Sequence, residues 1–187
     1  MSLLTDVIST NGISFEEILS CSPQNGMIME FGVAQGDSIR KIAKHFPDRT
    51  IYGFDWFEGL PEDWRDNYRK GHFKCEPPTD LPSNVKLVVG LFQDTLQNFL
   101  KEHSDPIAFI HMDADLYSST KCVLNAVINQ LQDGTIILFD EFYGYSGFEY
   151  NEYKAFQEFI DLGLYTYNCI GKLGDEKAAF RIHSLAK

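Results

Sequence analysis

The sequence predicts an α/β protein built on one doubly wound, mostly parallel seven-stranded sheet that is closed by an antiparallel strand. Short apolar runs alternate with amphipathic stretches along the chain, which is the pattern of parallel strands connected by helices. Near the end, Tyr165 to Ile170 and Ala178 to His183 flank a glycine-containing turn and predict an antiparallel pair. A chain of 187 residues can bury one core, so residues 1–187 are expected to form a single domain.

The remaining elements are predicted from apolar runs bounded by glycine, proline or acidic residues. The other strands are the run that begins at Met27, Thr50 to Phe57, Val85 to Leu91, Pro106 to Asp113 and Gly134 to Phe139. The helices are Ser14 to Leu19, a helix containing Ile39 to Phe46, Asp94 to Leu100, Ser118 to Leu131 and Tyr153 to Leu162. Ser14 with Glu17 suits a capping box, and Asp94 suits an N-cap.

Residues 58–84 are rich in proline, glycine, charged and aromatic side chains and show little periodicity. A connection of this length is uncommon in a compact domain unless it has a function. Because it starts at the carboxyl edge of a parallel strand, where ligands bind, we expect a lid or a substrate wall. A surface insertion packed by its own aromatic side chains is the alternative.

Charge and cysteine content restrict the partners and the compartment. The formal net charge is −11 and the pI about 4.8, so neither nucleic acid nor an anionic membrane surface is expected as a partner. The four scattered cysteines form no C-x-x-C pair and are expected to be free thiols in a reducing cytosol. The first residues show no signal-peptide pattern, and no stretch approaches the apolar length of a membrane span. We therefore predict a cytoplasmic protein.

The first strand leads into a glycine-containing turn and a helix. Gly32 and Gly36 permit a tight turn and the close approach of a ligand to backbone N–H groups at the helix N-terminus. Asp55 ends the second strand, where doubly wound folds place a carboxylate for ribose hydroxyls. Glu30, at the carboxyl end of the first strand, is costly to bury unless it meets a cation or hydrogen-bond donors. The stretch indicates a small-molecule site, and a plain strand-to-helix turn is the alternative.

Carboxylates end two further strands. Asp113 and Asp115 follow the fourth predicted strand. Asp140 and Glu141 follow the fifth. The ends of parallel neighbours lie on one edge of a sheet, so these side chains are expected to converge and hold a divalent cation, with Mg²⁺ suited to oxygen ligands. Solvated strand ends are the alternative. His111 shares the face of Asp113, either as a hydrogen-bonded core histidine or as a base.

These motifs resemble those of class I S-adenosylmethionine-dependent methyltransferases, most closely the macrocin O-methyltransferase (TylF-like) group. The metal-dependent caffeoyl-CoA and catechol O-methyltransferases are similar at a greater distance. The matching stretches are Glu30 to Ser38, Phe54 to Pro61, Gly90 to Leu96, Asp113 to Thr120 and Phe139 to Phe142. The string Asp-Ala-Asp-Leu-Tyr-Ser-Ser-Thr is the most specific of them. The resemblance implies a Rossmann-like methyltransferase fold.

The resemblance also implies which residues bind S-adenosylmethionine and metal. The implied cofactor-binding residues are Glu30 at the methionine ammonium, Gly32 and Gly36 along the pocket, Ser38 at the carboxylate, Asp55 at the ribose, and Gly90 with Phe92 at the adenine. Mg²⁺ would bind Asp113, Asp140 and Glu141, although the family usually has Asp or Asn where this chain has Glu141. Asp115 would lie near the substrate or the metal.

We therefore predict an S-adenosylmethionine-dependent, Mg²⁺-dependent O-methyltransferase that acts on a hydroxyl of a small molecule, such as a sugar, vicinal diol or catechol. The sulfonium methyl is already activated, so the protein must align the acceptor and supply a nucleophilic oxygen. The metal would lower the pKa of the hydroxyl. The candidate catalytic groups that take its proton are Asp113, Asp115 and His111.

Three other functions fit part of the pattern. The string from Asp113 to Asp115 also resembles the D-x-D site of metal-dependent glycosyltransferases. A nicotinamide oxidoreductase is disfavoured by Ala34, where the dinucleotide fingerprint has glycine, and by the charge of Glu30 near a pyrophosphate. A non-catalytic cofactor-binding protein is the third. The aromatic lip in residues 142–150 also favours a homodimer.

Overall fold

The computed structural model describes residues 2–185 and contains a seven-stranded sheet. The strands are β1 Met27–Phe31, β2 Ile51–Asp55, β3 Val85–Val89, β4 Ile107–Met112, β5 Leu131–Phe139, β6 Tyr165–Leu173 and β7 Lys177–Ser184. Their spatial order is β3-β2-β1-β4-β5-β7-β6, with β1 to β5 parallel and β7 antiparallel to both neighbours. The predicted doubly wound sheet with a closing antiparallel strand is confirmed.

The strand order reverses at β1, because β2 lies on one side of it and β4 on the other. In doubly wound folds, ligands bind in the crevice above the carboxyl ends of the strands at such a reversal. The residues predicted for the site lie at, or just past, the carboxyl ends of β1 to β5. The topology therefore gathers them at one edge of the sheet.

Helices cover both faces of the sheet. They are α1 Leu3–Ser9, α2 Phe15–Ser20, α3 Asp37–His45, α4 Phe92–Glu102, α5 Tyr117–Val127 and α6 Glu152–Asp161, with a 3-10 turn at Phe148–Tyr150. Side chains of α1, α4, α5 and α6 pack with Phe54, Phe139 and Phe180 on one face. Those of α2 and α3 pack with Ile28 and Phe109 on the other. Burial on both faces explains why β1 and β4 are apolar almost throughout.

The predicted capping box of α2 is present, but the predicted cap of α4 is wrong. The Ser14 hydroxyl accepts the N–H of Glu17, and the Glu17 carboxylate accepts the N–H of Ser14. Helix α4 begins at Phe92 with Leu91 as its N-cap and no side-chain cap bond. Asp94 lies in the first turn instead, where its charge suits the helix dipole.

One helix was missed, and two element boundaries differ from the sequence prediction. Helix α1 was not predicted, because it has only seven residues and only two of them, Leu3 and Val7, are buried. Strand β5 begins at Leu131 and α5 ends at Val127, so the predicted helix end at Leu131 and strand start at Gly134 were wrong. Gly134, at φ +89°, lies inside β5 near an irregularity in the β4–β5 pairing, so the strand continues through it.

Residues 58–84 form successive turns without helix or strand. The N–H of Gly71 donates to the Leu60 carbonyl and the N–H of Leu60 to the His72 carbonyl, both at 2.8 Å, so the two ends of one loop are held together. Leu60 is buried beneath it. Within residues 2–185, no helix has the length and apolar character needed to cross a membrane.

Candidate active site

The loop between β1 and α3 is held by contacts that its first glycine permits. Gly32 has φ +92°, and a Cβ there would overlap the main-chain carbonyl of Asp113. Asp55, at the end of β2, binds the loop directly. One of its carboxylate oxygens accepts the N–H groups of Val33 and Ala34, both at 2.8 Å. The loop is therefore fixed against β2 and the end of β4 by this chain's own groups.

A cavity of about 370 Å³ opens beside this loop. Its size is within the usual range for a small-molecule site. The predicted site residues in its wall are Gly32, Asp55, Gly90, Phe92, Asp113, Asp115 and Glu141. Trp56 also lines the cavity, and the 58–84 segment adds Gly59, Leu60, Pro61, Glu62 and Phe73. The long connection thus forms part of the wall.

Glu30, Ser38 and Gly36 are not among the residues that line this cavity. Glu30 is completely buried, and its Oε1 accepts the hydroxyl of Ser38 at 2.5 Å. Its Oε2 is buried without a hydrogen-bond partner in the part of the chain that the structure describes. An unpaired buried carboxylate oxygen is costly, so a donor from a ligand would stabilise it. Gly36, at φ +85°, is the N-cap of α3.

His111 links Glu30 to Asp140 on the same face of the sheet. Its Nδ1 lies 3.7 Å from Glu30 Oε1, and its Nε2 lies 3.2 Å from Asp140 Oδ1, which also bonds to the Lys177 ammonium. Burial opposes the charged form of His111, but the hydrogen bond to Asp140 and the nearby charge of Glu30 raise its pKa well above the usual value. Burial likewise opposes ionisation of Asp140, but His111 and Lys177 lower its pKa to about 2. Carboxylates and cations therefore alternate along this row.

Asp113, Asp115 and Glu141 form a separate group in the cavity wall, which we call the carboxylate trio. One oxygen from each lies within 4.8 Å of the other two. Burial, followed by repulsion from neighbouring carboxylates, raises the pKa of all three, to about 9 for Glu141. A bound cation relieves repulsion of this kind.

Glu152 and Lys177 belong to the site but were not predicted from the sequence. Glu152 is completely buried at the start of α6, and its Oε2 accepts the N–H of Glu141 at 3.1 Å. Burial and the charge of Glu141 raise its pKa. An acid in the first turn of a helix is ordinary, and so is a lysine at the start of a strand. Neither residue carried a local signal of its role.

The predicted Mg²⁺ ligands Asp113, Asp140 and Glu141 are divided between two groups. Asp113 belongs both to a group with His111 and Asp140 and to the carboxylate trio. At Asp140 a cation would meet the positive charge of a histidine and a lysine already bonded there. The trio offers only oxygen ligands, which Mg²⁺ prefers. The donor chemistry of this chain therefore fits Mg²⁺ at the trio better than at Asp140.

Comparison with known proteins assigns this chain to one class. Residues 29–142 match the family described as "Methyltransferase domain", so the chain belongs to that family. With the seven-stranded order found here, it is a class I S-adenosylmethionine-dependent methyltransferase with a Rossmann-like fold. The predicted class and fold are confirmed, and the macrocin O-methyltransferase group is consistent with these matches. No curated protein matches the chain at a significant level of sequence similarity.

Solved structures share the architecture over most of the chain. CalS11, a calicheamicin methyltransferase, is 25% identical with a TM-score of 0.71, over 89% of this chain and 75% of that one. Its apo structure is described as a TDP-rhamnose 3′-O-methyltransferase. The O-methyltransferase NovP is 22% identical with a TM-score of 0.66, over 91% and 79%. An O-methyltransferase from Bacillus cereus, in complex with SAH, is 14% identical with a TM-score of 0.57, over 100% and 82%. The last two similarities concern the fold.

Proposed function

We propose that this methyltransferase acts on a hydroxyl oxygen of a small molecule, with a sugar, vicinal diol or catechol as acceptor. The observation that carries the proposal is the position of the carboxylate trio. It lies in the wall of the same cavity that the glycine loop borders, so a donor and a hydroxyl acceptor can meet there. The description of CalS11 as a 3′-O-methyltransferase supports oxygen as the accepting atom.

S-adenosylmethionine would occupy the 370 Å³ cavity, where it supplies an activated methyl group. Asp55 would meet the ribose. Its two carboxylate oxygens already accept three backbone N–H groups, and a carboxylate offers about four acceptor positions. Gly90 and Phe92, which line the cavity after β3, would border the adenine.

Glu30, Ser38 and Gly36 would act at the methionine end. The unpartnered Oε2 of Glu30 is a ready acceptor for the methionine ammonium. Ser38 already donates to the other oxygen of Glu30, so it would hold that carboxylate in place and lie near the methionine carboxylate. Gly36 would keep the α3 N-terminus free of a side chain.

Mg²⁺ would be held by the carboxylate trio, with Asp140 kept as the partner of Lys177 and His111. When bound, the ion supplies Lewis acidity that lowers the pKa of a hydroxyl. Carboxylates of the trio would orient the acceptor hydroxyl and take its proton. Asp115, which is 8% exposed, would be held in place for this by its buried surroundings.

His111 would act as a positioning residue in this scheme. Its ring is 1% exposed, and both of its nitrogens face carboxylates rather than the cavity. A base must reach the proton that it removes, directly or through one water. His111 would instead fix Glu30 and Asp140 relative to each other.

A transfer assay tests the proposal. Purified protein with labelled S-adenosylmethionine and Mg²⁺ should methylate catechol or simple methyl glycosides, and Asp113→Asn should slow turnover by about 100-fold or more. The control is Asp94→Asn, at an exposed position on α4, which should keep wild-type activity.

Equal methylation after chelation would contradict the proposed dependence on Mg²⁺. Binding of S-adenosylhomocysteine without any turnover would favour a non-catalytic cofactor-binding protein, and binding of UDP-glucose in its place a glycosyltransferase.

A further inference from the structure

A second cavity, of about 550 Å³, opens between the 58–84 segment and the residues that follow β5. Its wall is rich in aromatic side chains: Trp64, Tyr68, Tyr145 and Tyr150. Polar and charged groups complete it: Arg65, Asp66, Ser146, Asn151 and Glu176. None of these residues lines the first cavity.

The wall of the second cavity is connected to the carboxylate trio through neighbouring residues. Tyr145 lies four residues beyond Glu141, and Asn151 directly precedes Glu152, whose carboxylate accepts the N–H of Glu141. The charge of Arg65 also acts on Asp115 and Glu141, where it opposes the rise in their pKa. The second cavity therefore lies next to the elements that carry these carboxylates, although Asp113, Asp115 and Glu141 line only the first cavity. A reaction between two substrates needs both a donor and an acceptor site.

The cation in this wall is already neutralised. The Arg65 guanidinium lies 4.1 Å from the ring centroid of Trp64 and 4.3 Å from that of Tyr145. Its Nη1 also donates to Glu176 Oε2 at 3.0 Å. Asp66 adds a further negative charge to the wall. Among the described lining residues, a phosphate would therefore find no free positive charge.

We propose that the second cavity is the distal subsite for the acceptor and takes an uncharged flat ring. The hydroxyl-bearing part of the acceptor would lie at the carboxylate trio. The attached ring would pack against the aromatic wall beside Tyr145 and Trp64, whose rings also contact Arg65. The acceptor class is then a neutral aryl glycoside rather than a nucleotide-linked sugar. This inference rests on the proposed function and narrows its substrate class.

The two tryptophans of the chain allow the cavities to be probed separately. Trp56 lines the first cavity and Trp64 the second, and the sequence contains no other tryptophan. Trp56→Phe leaves Trp64 as the fluorescent reporter, and Trp64→Phe leaves Trp56. Titration of Trp64→Phe with S-adenosylhomocysteine tests the donor cavity alone, so failure of the proposed function is seen independently of the acceptor subsite. Circular dichroism and calorimetry with S-adenosylhomocysteine check that each variant is folded.

Three probes then test the subsite in Trp56→Phe: phenyl β-D-glucoside, methyl β-D-glucoside and UDP-glucose. We expect a saturable change in Trp64 emission with the phenyl glucoside, at about fivefold or higher affinity than with the methyl glucoside. Adding Tyr145→Ala should remove that difference while S-adenosylhomocysteine still binds. The proposal is overturned if Trp64 shows no saturable change, if the two glucosides bind equally, or if UDP-glucose binds at least as tightly as the phenyl glucoside.

Discussion

Gly32 is a residue at which one added methyl group should have a large effect. Gly32→Ala adds a Cβ that would overlap the Asp113 carbonyl at a φ of +92°. We expect the free energy of unfolding to fall by about 3 kcal/mol or more and the affinity for S-adenosylhomocysteine to fall at least about tenfold. Gly163→Ala, at φ +69° with open space around the new Cβ, should cost about 1 kcal/mol and leave the affinity unchanged. Urea unfolding and calorimetry measure both, and equal losses in the two variants would refute the close-contact explanation.

Lys177 is a second residue whose replacement can be tested, here by its effect on metal affinity. Lys177→Met removes the cation bonded to Asp140 and should raise the affinity for Mn²⁺ by about tenfold, since a repelling charge is lost and a carboxylate is freed. Electron paramagnetic resonance of free Mn²⁺ measures this. Lys86→Met makes the same charge change on β3, at the far edge of the sheet, and should have little effect. An unchanged affinity in Lys177→Met would show that Lys177 does not compete with a metal.

The same residues show what could be predicted from the sequence at this scale. Glu30, Gly32 and Asp55 were predictable as candidate residues because a strand followed by a glycine turn is a local pattern. Lys177 and Arg65 were not, because their partners lie 37 and 111 residues away in the chain. Such pairs depend on how β7 and the long connection fold back over the site, and no local spacing encodes that.

At the scale of elements, the 58–84 segment contributes to the walls of both cavities. Arg65 connects it to two others: stacking reaches Tyr145 after β5, and the ion pair reaches Glu176 in the turn before β7. The segment has no helix or strand of its own, so its order depends on such contacts. Arg65 therefore acts as a cross-link over the carboxyl edge of the sheet.

Hydrogen exchange tests this cross-link. Arg65→Gln should speed exchange of backbone amides in residues 58–84 by about fivefold or more, because it removes the stacking and the ion pair. Arg69→Gln is the matched control on the same segment, since its exposed pair with Asp63 contributes little, and it should leave exchange near the wild-type rate. Equal exchange in both variants would show that Arg65 does not order the segment.

Strands and long helices were predicted more reliably than boundaries. Strands β1 and β4 are buried on both faces, so their apolar runs are unmistakable. The end of α5 and the start of β5 were misplaced because the irregular pairing of β4 with β5 accommodates Gly134 inside a strand. Helix α1 was missed because its stability comes from packing on the sheet rather than from its own short pattern.

At the scale of the whole molecule, the buried acids set how stability depends on pH. Burial and the charges of Asp115 and Asp140 raise the pKa of Glu141 from 4.5 to about 9, so between these pH values the folded state holds an extra proton. Stability must then fall as pH rises through that window. The pKa values of Asp113, Asp115 and Glu152 shift in the same direction. The raised pKa of His111 adds stability at low pH that is likewise lost as pH rises.

We therefore expect the free energy of unfolding, measured in urea with a chelator, to be lower at about pH 8 than at about pH 5.5. The slope per shifted group is at most about 1.4 kcal/mol per pH unit. Glu141→Gln should flatten it, whereas Glu102→Gln, on the exposed end of α4, should not. Mg²⁺ should restore stability at the higher pH. A profile that rises with pH would be incompatible with these carboxyls being protonated in the folded chain.

The central claim is that a donor cavity and an oxygen-only metal site share one edge of this sheet. The most direct measurement is anomalous diffraction from crystals grown with S-adenosylhomocysteine and Mn²⁺. We expect a manganese peak among Asp113, Asp115 and Glu141, with the ligand in the cavity lined by Asp55 and Phe92. A manganese peak on Asp140 with Lys177 displaced, or a ligand bound outside that cavity, would contradict it.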